Sequence, residues 1–101
     1  MESKVRHDLR HPIATISMIA STLAEFGDSV DGETASMYGE QVSREIKGFA
    51  DKMKQHSVAF DTEKLEQAAS LFVDDPSVAT RAAGLEAECR KLLELLSPAV
   101  L

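Results

Sequence analysis

The sequence predicts an all-α fold, with an antiparallel pair of long helices over residues 1–60 and two further helices over residues 61–101. Three observations predict it. Apolar residues recur at alternating intervals of four and three along most of the chain, which is the period of one helix face. No stretch alternates apolar with polar residues as a half-buried strand would. The breaks between the periodic stretches, Gly27-Asp28, Asp61-Thr62 and Asp74-Asp75-Pro76, are helix stop and start signals.

The first stripe is Val5, Leu9, Pro12, Ile16, Ile19, Leu23 and Phe26, and it predicts a helix from about residue 3 to residue 26 that stops at Gly27-Asp28. Pro12 lies inside it, removing one backbone donor and crowding the carbonyl of Asp8. A bend and some mobility are therefore expected one turn beyond His7. An interior proline costs ~3 kcal/mol, so a purely structural helix usually avoids one. With Leu9 at heptad position a, His7 falls at f and points at water.

A short polar turn, with Asp31 or Ser29 as N-cap, leads into a second helix from about Gly32 to Val58 or Phe60. Its stripe is Ala35, Gly39, Val42, Ile46, Phe49, Met53, His56 and Phe60. So short a turn makes the two helices antiparallel neighbours. Folding about residues 29 and 30 puts His7 level with Lys52, with Lys47, Lys54 and His56 in the surrounding turn. A third helix, capped by Asp61 or Thr62, should run to Phe72 with Leu65, Ala68, Ala69 and Phe72 inward. Aspartate followed by Pro76 announces a fourth, carrying Val78, Ala82, Leu85, Cys89, Leu92 and Leu96 and ending before Pro98. This extension either folds back to complete a single-chain bundle or leaves the first hairpin to pair with its copy in a dimeric four-helix bundle. The narrow, heptad-like stripes favour the homodimer.

Composition limits the partners. One hundred and one residues bury only a modest core. A net charge of −6 argues against nucleic acid or an anionic membrane, both of which want a basic face. The acidity lies mostly in the second part: residues 1–58 carry 7 Lys/Arg against 9 Asp/Glu, and residues 59–101 carry 4 against 8. The single cysteine, Cys89, excludes an internal disulfide and suits a reducing compartment. With no long apolar run and no apolar core at the N-terminus, the expectation is a cytoplasmic protein or a cytoplasmic piece of a larger one.

The segment His7-Asp8-Leu9-Arg10-His11-Pro12-Ile13 resembles the H-box of the dimerisation and histidine-phosphotransfer domain of bacterial sensor histidine kinases. That box reads His, an acid, Leu, Arg, usually Thr or Asn, Pro, then Leu or Ile, and only His11 departs from it. The resemblance covers about residues 3–60. It implies two hairpins associating into a four-helix bundle, a histidine phosphorylated by an ATP-binding domain, and transfer to an aspartate of a response-regulator receiver domain. It also implies that the receiver meets the helix near Ile13, Thr15 and Met18.

The chemistry is consistent with that role. A neutral imidazole is a competent nucleophile, and an adjacent carboxylate can take the proton from one ring nitrogen and so activate the other. His7 is then the phosphoacceptor and Asp8 its general base or orienting group. Arg10, with Arg6 and Lys4 nearby, offsets phosphoryl charge. His11 stands where the family uses Thr or Asn to position water for dephosphorylation. Glycines 27, 32, 39, 48 and 84 are scattered singly, so no phosphate-binding loop or ATP-binding domain is expected. The chain would be a stand-alone phosphotransfer protein, one half of a split kinase, or a domain separated from its catalytic partner.

Plainer readings compete. His7 alone is an ordinary surface histidine, and Asp8 an acid favoured near a helix start. His56 reads as a packed residue rather than a second catalytic group, Met18, Met37 and Met53 as core filler or flank, and Lys47, Lys52 and Lys54 as a solvated face. Cys89 reads as a buried thiol. His7, Asp8 and His11 lack a further ligand at suitable spacing, so no metal and no cofactor are expected. Two other functions stand beside phosphotransfer: a non-catalytic module that docks on a kinase or regulator, and a structural dimeriser.

Overall fold

The computed structural model describes residues 3–72 and 78–96. Within them every regular element is helical: α1 (Ser3–Phe26), a 3-10 turn (Gly27–Ser29), α2 (Gly32–Gln55), α3 (Glu63–Phe72) and α4 (Val78–Leu96). No described helix is long and apolar enough to cross a membrane.

Along α1 the buried residues are Leu9, Pro12, Ile13, Ile16, Ile19, Ala20 and Leu23. This face is wider than the predicted seam, because Ile13 and Ala20 lie beside it. A helix packed against two neighbours needs the broader stripe, and α1 has two, α2 and α4. Phe26, expected on the seam, is instead 55% exposed. It sits where the helix ends, with φ −116° and ψ 5°, and this non-helical backbone carries its side chain off the stripe.

The stop after Phe26 comes where expected, by a different device. No described glycine takes positive φ. The chain tightens into the 3-10 turn, closed by the Val30 N–H donating to the Gly27 carbonyl at 3.2 Å, and becomes extended at Val30. Asp31 then caps α2, its Oδ1 accepting from the Thr34 N–H at 2.7 Å. Hydrogen bonds from Thr34 hold the Asp31 carboxyl below its ordinary value.

On α2, Gly39, Val42 and Phe49 are buried, and Ile46 and Met53 pack beside them. The helix ends at Gln55, short of the expected Val58 or Phe60. The Ser57 N–H donates to the Lys54 carbonyl at 3.2 Å and the Val58 N–H to the Met53 carbonyl at 3.0 Å, with Ser57 at φ 56°. This is a Schellman turn with serine in the left-handed position. Residues 58–60 then lie outside any helix, and Val58 and Phe60 pack on the core, with the Phe60 ring centroid 6.4 Å from that of Phe49.

Asp61 starts α3 by accepting from the Glu63 N–H at 3.1 Å, and Leu65 and Ala69 face inward. On α4 the predicted residues Ala82, Leu85, Cys89, Leu92 and Leu96 are all buried. The side chains of Phe72 and Val78, and the start signal at Asp74-Asp75-Pro76, lie outside the described residues.

Among the described residues the most extensive packing is between α1 and α4. Burial of Leu9, Ile13, Ile16, Ala20 and Leu23 is complete within one chain. Asp8 near the start of α1 meets His56 at the end of α2, so that pair runs antiparallel. Asp61 and Lys64 at the start of α3 share a groove with Glu88, Lys91 and Leu95 toward the end of α4. One core cluster draws on all four helices.

Candidate functional site

The site grows out of the first three turns of α1. Leu9, Pro12 and Ile13 turn inward, and helical geometry then turns His7 and His11 outward and Asp8 toward the border with α2. His7 is exposed. It shares a shallow concavity of ≈ 150 Å³ with Ser3, Arg6 and Arg10, residues at helical intervals of three and four. Among the described residues, neither guanidinium nor the His7 ring is taken up by an ion pair or hydrogen bond. An outward imidazole between two uncommitted guanidiniums suits a tetrahedral anion, because guanidinium forks match phosphate oxygens.

Asp8 is arranged differently from the expectation. Successive helical residues point ~100° apart, and no hydrogen bond joins Asp8 to the His7 ring among the described residues. Its Oδ2 instead lies 3.2 Å from Nε2 of His56, the C-cap of α2. The two side chains are 34% and 16% exposed, so the pair is largely sheltered from solvent. His56 was expected only to pack. Folding about residues 29 and 30 places His56 in the turn around His7, and the structure pairs it with Asp8, the residue after His7.

His11 is exposed one turn beyond His7 but does not line the concavity. Its carbonyl accepts from Thr15 Oγ1 at 3.1 Å. The helix continues through Pro12, which is buried, and Pro12 leaves the Asp8 carbonyl without its usual i+4 donor. Of the residues expected to meet a receiver, Ile13 is fully buried and unavailable, whereas Met18 is 65% exposed. Of the two readings, core filler or flank, the exposure of Met18 and Met37 fits the flank.

The other chemically notable groups lie elsewhere. Burial pushes the Cys89 thiol up to about 12, with Glu86 and Glu88 adding to the effect, which disfavours the reactive thiolate. A larger, open concavity of ≈ 450 Å³ on α2, lined by Ser36, Gly39, Glu40, Ser43 and Arg44, holds no imidazole or thiol. No group of three or more metal-ligating side chains converges among the described residues. No family model matches the chain, and neither a curated protein nor a solved structure matches it.

Proposed function

We propose that this chain is the histidine phosphotransfer module of a two-component signalling system, with His7 carrying a phosphoryl group to or from a receiver-domain aspartate. The observation that carries the reading is the exposed His7 imidazole between the uncommitted Arg6 and Arg10 side chains, on the segment that resembles an H-box. In the forward step a ring nitrogen of His7 attacks the phosphorus of the receiver's acyl phosphate. The N–P bond forms, the P–O bond to the aspartate breaks, and the carboxylate leaves with the electron pair. The proton on the other ring nitrogen passes to a carboxylate, for which Asp8 is the nearest candidate in the chain. Arg6 and Arg10 balance the phosphoryl charge in either direction. A separate ATP-binding kinase domain is the other donor this role requires.

The four helices would work as one antiparallel bundle that keeps α1 rigid beneath an approaching receiver. Pairing two hairpins in a homodimer draws on the same face of α1 that α4 covers, so we propose that the module works with α4 in place.

The test is incubation with receiver domains charged by a small-molecule acyl phosphate. Acid-labile, base-stable phosphate should appear on this chain, and His7→Gln should abolish it while leaving the helical circular dichroism unchanged. Uptake by His7→Gln would overturn the assignment to His7. Binding without transfer by the wild-type chain would replace phosphotransfer with a docking role.

A further inference from the structure

We infer that His56 is a positioning residue for Asp8, so that the C-terminal turn of α2 sets the carboxylate beside the phosphoacceptor. The inference rests on the phosphotransfer reading of His7. An ionised carboxylate can only accept, so the 3.2 Å contact requires the proton on Nε2 of His56. The contact links residues 48 apart in the chain and is the cross-helix restraint on the Asp8 side chain.

Both ends of this contact have a reason to be where they are. On the α2 side, His56 belongs to a turn fixed at several points. The Schellman hydrogen bonds of Ser57 and Val58 close it, and the Phe60 N–H donates to Met53 Sδ at 3.4 Å. The Phe49–Phe60 ring contact anchors it to the core. On the α1 side, Pro12 has removed the donor that would ordinarily hold the Asp8 carbonyl. The backbone that carries Asp8 is thus less constrained by its own helix, and a restraint from the neighbouring helix supplies what is missing. Holding one carboxylate oxygen fixes the direction of the second, which can still accept a proton. His56 has no reason to touch the phosphoryl group and acts only through Asp8.

The experiment measures the transfer rate at saturating receiver, and receiver affinity separately, for the full chain and its variants. His56→Leu should slow transfer by about tenfold or more, a share of what a positioned general base contributes, with receiver affinity unchanged. His56→Gln, which keeps an N–H near the place of Nε2, should recover most of the rate. On an Asp8→Asn background, His56→Leu should have no further effect. Wild-type transfer rates in His56→Leu, or an equal loss with and without Asp8, would overturn the inference. The 15N resonances of the His56 ring in the wild-type chain and in Asp8→Asn give a measure that needs no His56 variant to fold. A proton held on Nε2 that responds to Asp8→Asn supports the contact, and a ring indifferent to it overturns the proposal. Absence of transfer by the wild-type chain strikes the phosphotransfer reading itself, whereas active wild-type chain with indifferent His56 variants strikes only this one.

Discussion

Ser57 is the described non-glycine residue that takes positive φ, and the fold uses it to end α2 beneath the candidate site. A left-handed L-residue is strained where glycine is not, so Ser57→Gly should raise stability by about 0.5–1 kcal/mol. A chemical denaturation midpoint that falls in Ser57→Gly would show that the serine side chain holds the turn. Cys89 gives a second prediction at this scale. Its folded-state value is raised, from 9.0 to about 12, so above pH 9 the unfolded chain sheds a proton that the folded chain keeps. The resulting stability is fully present below about pH 9 and is lost as pH rises toward 12. Denaturation midpoints compared at pH 8 and pH 10 should fall more in the wild-type chain than in Cys89→Ala. Burial of Cys89 was legible from its place on a leucine stripe. The partner of Asp8 was not, because an i, i+3 interval assigns His56 to a face without saying that the helix ends there.

Helix ends set what the sequence could and could not specify about the elements. The sequence offered Asp31 or Ser29 as the cap of α2, and Asp31 is the one that serves, by its bond to the Thr34 N–H. Asp31→Ala should lower stability by removing the cap, measured by urea denaturation at neutral pH. Asp31→Asn should cost less, since the amide oxygen still accepts. The carboxyl's value is lowered in the folded state, so the contribution of its charge is present above the ordinary carboxylate value, 3.8, and is lost as pH falls through the lower folded one. The difference between wild type and Asp31→Asn should therefore shrink in acid. The end of α2 was misread for a physical reason. Val58 and Phe60 are apolar and carry the pattern past Gln55, yet they reach the core from outside the helix.

At the scale of the molecule the question is what covers α1. The four-and-three interval specifies that a face is buried but not by which helix, so the sequence left fold-back and self-pairing both open. The distinguishing residues were Ile13 and Ala20, apolar positions beside the stripe that a narrow dimer seam leaves unexplained and a second neighbour buries. With α4 in that place, Leu85 belongs to the same core as Ile16 and Leu23, all fully buried. Leu85→Ala should then cost about 2–5 kcal/mol, a large share of the ~5–15 kcal/mol that typically holds a domain together. The loss should lower the stability of the whole chain in one transition, because α1 loses contacts along with α4. If α1 were instead buried against a second copy, with α4 outside, truncating Leu85 would leave the main transition in place, and its midpoint would rise with protein concentration. Circular dichroism melts of wild type and Leu85→Ala across a hundredfold range of concentration, paired with light-scattering mass, separate the two arrangements. A concentration-independent midpoint that drops sharply in Leu85→Ala is the result that a self-covered α1 requires.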